Sequence, residues 1–321
     1  MKIVFNTTQP HAPCSTMYSD ALRGIEEITL YDNRLELYDI ALFMTYDYEF
    51  IKPIREKFPK LKIGLLDPRS YRVFDSTQYC DFLVIDSIEM QDYWRCAGKP
   101  LFEYVEYPNI NTVEKTHEDK DKFIIGYHGN KIHLECMSHN VTPALTKLRE
   151  KYNIELMVMY NGKAPSGKEE WCPKNVPIRH IPWSMENYHK YLSKCDIGIV
   201  PNNLIHDSSV KRESATKSNF NYSDDDYSIR FKMPSNPGRS IIFGKLGIPV
   251  VADFYPSAIR LLQEDVGYVA HNSSGWIYCL ERLISSRELR QSMGDSFQKL
   301  VNDKYNFATQ NNKFLDFLRT I

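Results

Sequence analysis

Residues 229–254 (IRFKMPSNPGRSIIFGKLGIPVVADF) run from a Pro-Ser-Asn-Pro-Gly loop through a helical pattern into an apolar strand pattern. A helix that opens this way presents backbone N–H groups and partial positive charge, which suit a phosphate. Lys232 stands just before the loop and Arg239 just inside the helix, and both are placed to neutralise an anion. The Ser235 hydroxyl serves either as a hydrogen-bond donor to that anion or as a helix cap, and Asn236 shares its turn. A second strand-to-helix turn, Gly126-Tyr127-His128-Gly129-Asn130-Lys131, follows the apolar run 122–127 (KFIIGY). Gly129 there allows close approach of a ligand to the backbone. Both places also read as ordinary turns with surface cations.

Composition narrows the chemistry. The chain has 321 residues, 42% hydrophobic and 25% charged, with a net charge of −1. That is a globular balance sufficient for two cores. It lacks the basic excess of a nucleic-acid binder, and no nucleic-acid partner is expected. Residues 1–110 hold 12 Lys and Arg against 17 Asp and Glu, whereas residues 111–321 hold 28 against 24. The mildly basic second part suits an anionic ligand such as a nucleotide diphosphate. Seven cysteines, widely scattered and without a C-x-x-C pair, form neither a disulfide framework nor a zinc pattern, and free thiols fit a reducing cytoplasm. The N-terminal apolar run is too short for a signal peptide, and no stretch approaches the ~18 apolar residues of a spanning helix.

The elements that must position these residues alternate. Runs 2–6, 39–44, 61–66, 82–86 and 102–106 read as strands, with helical spacing over 17–28, 47–58 and 87–97. Residues 107–122 are polar and aperiodic, and the linker falls at 111–122. The pattern restarts with strands at 122–127, 154–160, 178–181, 195–200, 248–252 and 266–270. Helices are expected from 131 to about 152 and at 184–192, 238–246, 274–285 and 286–303. The polar stretch 203–230 interrupts this pattern and reads as a mobile loop. The expected fold class is α/β: two Rossmann-like domains, 1–110 and 123–303, facing a cleft, with a closing helix at 304–321.

The segment from Lys232 through the Ser-Asn loop to Gly247-Ile248-Pro249-Val250-Val251 resembles the donor-binding segment of GT-B nucleotide-sugar glycosyltransferases of the bacterial surface-polysaccharide type. Pro256, Gly267-Tyr268-Val269-Ala270, Trp276 and Glu288-Leu289-Arg290-Gln291-Ser292-Met293-Gly294 continue the likeness, which covers about 123–321. The first 110 residues match only in strand–helix order. The resemblance implies a metal-independent transfer of a sugar from a nucleotide sugar to a saccharide or glycolipid acceptor. It implies no cofactor, and a closing helix that returns to the first domain. It makes His128, Gly129 and Lys131 donor-site candidates alongside Lys232, Ser235, Asn236 and Arg239. Many retaining members carry two glutamates eight positions apart, where this chain has Pro234 and Ile242. The ribose-binding carboxylate is therefore unassigned, and no motif supports retention.

An inverting transfer needs a general base for the acceptor hydroxyl and cations or helix dipoles for the leaving diphosphate. The candidate bases are His11, in the loop after the first strand, and Asp67, which closes a strand within Asp67-Pro68-Arg69; Asp86 closes the next one. Arg69 is the acceptor-side partner of Asp67. Asp224-Asp225-Asp226 lies in the polar insertion and is not read as a metal site. Residues 52–62 carry five cations and one anion, which reads either as a solvated helix face or as a contact with anionic lipid at the inner face of the membrane. Other readings remain open: a nucleotide-sugar 2-epimerase or polyol-phosphate transferase of the same shape, or a non-catalytic nucleotide-sugar-binding subunit.

Overall fold

The computed structural model describes residues 1–69, 73–202, 236–263 and 265–321. The polar stretch 203–230, Lys232, Ser235 and Asp224–Asp226 lie outside the described residues. The chain divides into two compact units, Met1–Asn109 with Lys304–Ile321, and Ile110–Asp303.

The first unit has six parallel strands: β1 (Ile3–Asn6), β2 (Ile28–Leu30), β3 (Ile40–Met44), β4 (Lys62–Leu66), β5 (Phe82–Ile85) and β6 (Leu101–Glu103), ordered β2-β1-β3-β4-β5-β6. The helices are α1 (Pro13–Leu22), α2 (Tyr48–Lys57), α3 (Phe74–Thr77) and α4 (Ile88–Trp94). β3 is buried along its whole length, as expected where both faces of a parallel sheet are covered. The Ser87 side chain caps α4 by accepting from Met90 N. The expected strand at 102–106 ends at Glu103, and the expected helix at 17–28 is α1 followed by the short strand β2. The basic patch is partly neutralised from within, because Arg55 and Lys62 both pair with Asp81.

The second unit has six parallel strands of its own: β7 (Phe123–His128), β8 (Ile154–Met159), β9 (Ile178–Ile181), β10 (Ile197–Val200), β11 (Val250–Asp253) and β12 (Gly267–Ala270). Their order is β12-β11-β10-β7-β8-β9, the doubly wound arrangement in which the chain reverses direction between β7 and β10. Its helices are α5 (Ile132–Glu135), α6 (Val141–Arg149), α7 (Tyr188–Leu192), α8 (Gly238–Lys245), α9 (Pro256–Leu261), α10 (Ser273–Ser285) and α11 (Arg287–Lys304). Asn272 caps α10, whose buried Trp276, Cys279, Leu280, Leu283 and Ile284 follow helical spacing. The single helix expected from 131 to about 152 is two, α5 and α6. Residues 111–122, expected as the linker, fall within this unit. Val113 N donates to Lys245 O, and Lys115 Nζ reaches Ser193 O.

The last helix, α12 (Phe307–Leu318), belongs to the first unit. Phe314 packs on Phe102 and Tyr104. Gln310 bonds both backbone groups of Val105 (3.0 and 3.2 Å). Asn311 accepts from Tyr104 Oη (2.7 Å) and donates to Ala21 O (2.9 Å). No described helix is long and apolar enough to cross a membrane.

Candidate functional site

In doubly wound sheets, ligands occupy the crevice beyond the carboxyl ends of the strands where the chain reverses. In the second unit that place lies at the ends of β7 and β10. Gly126 and Gly198 are register partners on these strands. A Cβ at Gly198 would stand 2.6 Å from the Phe243 ring, and one at Gly126 would stand 2.3 Å from Cys195 Sγ. Gly198 therefore lets α8 lie close on the sheet, with Phe243 beneath and its N-terminal turn at the reversal point, while Gly126 makes room for Cys195.

Four sequence candidates meet there. Arg239, in the first turn of α8, donates to Pro201 O (3.2 Å) and to Asn202 Oδ1 (3.1 Å), both just past β10. His128, the last residue of β7, contacts Arg239 O through Nε2 (3.0 Å) and sets its ring edge-on to Phe243. Because a carbonyl only accepts, Nε2 carries the proton. Gly129 has φ 136°, and a Cβ there would lie 2.9 Å from Arg239 Cδ, so glycine is what admits the arginine. Asn236 turns its carbonyl back to Gly238 N (2.7 Å). Lys131 is exposed just beyond the turn.

His128 is 4% exposed. Burial pushes its pKa down to about 4, and the nearby Arg239 charge adds to this, outweighing the hydrogen bond to Arg239 O. It is neutral at pH 7 and so is not a cation for a phosphate. What it does is hold the first turn of α8. Sequence reasoning missed two further residues. Asn202 N donates to Asp253 Oδ2 (2.6 Å), and Trp276 Nε1 donates to Asp253 Oδ1 (3.0 Å). Asp253 closes β11 as Asp67 follows β4, and an acid at the end of an apolar run is the signal that could have found it.

The first unit gathers acids at the carboxyl edge of its sheet. Arg69 pairs with Asp67, Asp86 and, at 3.7 Å, Glu106. Asp67 is 1% exposed and holds φ 53°, a left-handed conformation that costs a non-glycine residue energy. Burial raises its pKa to about 7, Arg69 opposes this and Asp86 adds to it. Burial also raises Glu106 well above the usual carboxylate range, and Cys14 beside it well above a free thiol. The structure thus brings Asp67, Arg69 and Asp86 together and adds Glu106 and Cys14, which the sequence did not single out. His11 lies apart from this bonding, exposed in the turn between β1 and α1.

Two six-stranded parallel sheets, with the last helix returned to the first unit, are the GT-B fold. No protein-family model and no curated protein matches the chain. Solved structures do. Anabaena HepE in complex with UDP and glucose is 11% identical over 100% of both chains, with a TM-score of 0.68, and its UDP-glucose complex is 12% identical with a TM-score of 0.65. Staphylococcus aureus MnaA, solved with UDP, is 12% identical over 96% of this chain and 98% of that one, with a TM-score of 0.54. A Listeria monocytogenes protein assigned as a UDP-N-acetylglucosamine 2-epimerase is 11% identical over 98% and 86%, with a TM-score of 0.52. At these identities the likeness establishes the fold.

Proposed function

We propose that this protein is a glycosyltransferase whose second unit binds a UDP-sugar at the β7–β10 reversal point. The observation that carries the reading is the placement of Arg239. Gly198 beneath Phe243, the missing Cβ of Gly129 and the His128 contact support a placement of its cation and the first turn of α8 where such a sheet takes a nucleotide. The nucleotide is inferred from HepE and MnaA, which were solved with UDP or UDP-glucose. Lys131 supplies a second, exposed cation for the diphosphate. In the first unit the acceptor base is His11. We place the base at His11 rather than at Asp67 because His11 stands exposed in the turn between β1 and α1, whereas Asp67 is buried and bound to Arg69.

Thermal unfolding with UDP, UDP-glucose and other nucleotides tests the donor site. A ligand at a hundredfold excess over its Kd adds ~2.7 kcal/mol of stability. UDP is expected to raise the Tm without added metal, and Arg239→Ala to abolish the shift. No shift with any nucleotide overturns the donor site. The overlap with the Listeria protein favours one second reading, a UDP-sugar 2-epimerase. Incubation of UDP-N-acetylglucosamine alone separates the two: an epimerase converts it without acceptor, whereas a transferase releases UDP only with an acceptor or water.

A further inference from the structure

The carboxyl edge of the first sheet holds more negative charge than Arg69 alone can match. Asp67, Asp86 and Glu106 are all buried and all pair with that guanidinium. Ionised carboxylates crowded this way repel one another, and the balance is made up by a proton or by a metal cation.

Three further features favour the cation. Cys14 Sγ, an Asp67 oxygen and a Glu106 oxygen come from three separate elements, yet all lie within 4.8 Å of one another. Asp67 gives Oδ1 to Arg69, while its Oδ2 is buried with no hydrogen-bond partner. The Tyr18 hydroxyl on α1 is also buried and without a partner, and it lies in the field of Glu106, Asp67, Asp86 and Arg69. A buried oxygen and a buried hydroxyl left unbonded beside a thiol mark a place where an occupant belongs. The left-handed backbone of Asp67 (φ 53°) holds its carboxylate in this position.

We propose that Cys14, Asp67 and Glu106 bind one divalent cation of the zinc class, with Arg69 orienting Asp67 from outside. A thiolate with two carboxylates selects a borderline transition metal over magnesium or calcium. The Arg69–Asp67 bond is the kind of outer contact that fixes a ligating carboxylate. Binding forms a metal–sulfur bond and two metal–oxygen bonds and releases to solvent the Cys14 proton and the proton the carboxylates share. The site lies within the first unit and does not involve the nucleotide. This proposal departs from the expectation, drawn from the resemblance and the scattered cysteines, that the chain holds no metal.

Cobalt(II) is the probe. The full-length protein is stripped with a chelator, dialysed and titrated with Co²⁺, with absorbance read in the near-ultraviolet and visible. The expected result is a thiolate-to-cobalt charge-transfer band that saturates at one ion per chain and is displaced by Zn²⁺. Cys14→Ser should abolish the band while far-ultraviolet circular dichroism stays unchanged. Asp67→Asn should weaken binding by more than the ~10–100-fold that loss of an outer partner costs. Glu106→Gln is the second ligand variant should Asp67→Asn fail to fold. A wild-type protein with no cobalt band, or a band that persists in Cys14→Ser, overturns the proposal and leaves the cluster to water and a shared proton.

Discussion

The imidazole of His128 is buried against the first turn of α8, so its charge is tied to the fold. Its folded pKa, about 4, lies below the unfolded value near 6.5, so the unfolded chain takes up the proton first as pH falls. The contribution is fully present above the unfolded value and is lost through the window from roughly 6.5 down to 4. The size is on the order of 3 kcal/mol. Urea denaturation from pH 7 to 4.5 should show stability falling with pH, and His128→Gln should flatten part of that slope. Burial lowers His117 in the same direction, so a remaining slope in the variant is expected. An unchanged slope would mean that His128 is not buried as described. His11 is the contrasting case, exposed and proposed as a base. His11→Asn should cut UDP release from the donor by ~10²–10⁴-fold. UDP binding should stay intact, because the variant leaves every contact of Arg239 in place. Loss of binding together with turnover would instead assign His11 a structural role.

At the scale of elements, the position of α8 rests on the absence of a side chain at Gly198, as that of Cys195 rests on Gly126. Gly198→Ala forces a methyl against the Phe243 ring, and overpacking of this kind costs roughly 1–3 kcal/mol. Because the ring supports His128 and the first turn of α8, the variant should also weaken UDP binding. Equal measurements of Tm and UDP Kd for variant and wild type would show that α8 can shift freely. These glycines also mark what the sequence could disclose. Apolar runs placed β3, β4, β5, β8 and β10 to within two residues at each end, since a buried parallel strand writes itself as a largely hydrophobic run. β2, three residues long, is too short to leave a period. Arg239 and His128 were visible as residues at strand–helix turns. Their contact was not visible, because it spans 111 positions and depends on Gly198 and Gly129, neither of which has chemistry of its own. Glu106 was read as the end of a strand, and only the arrangement of β4, β5 and β6 side by side makes it a neighbour of Asp67.

For the whole molecule, the path of the chain has a consequence for its unfolding. The first unit is built from both ends of the sequence, with the second unit inserted between them. Each has its own sheet and its own buried cluster: one around Tyr18, Phe82 and Phe314, the other around Tyr127, Leu156 and Trp276. Separate cores need not melt together, and a chain of this kind departs from two-state behaviour. Scanning calorimetry of the full-length protein should therefore resolve two transitions that respond to different perturbations. Phe314→Ala removes a wholly buried ring from the closing helix, a change that costs ~3–5 kcal/mol, and should lower one transition. With the donor site proposed for the second unit, UDP should raise the other and leave the first where it was. The pairing is the test. If UDP and Phe314→Ala move the same single transition, the two cores unfold as one. If UDP raises the transition that Phe314→Ala lowers while the other stays fixed, the nucleotide is held by the first unit, and the site at Arg239 is wrong.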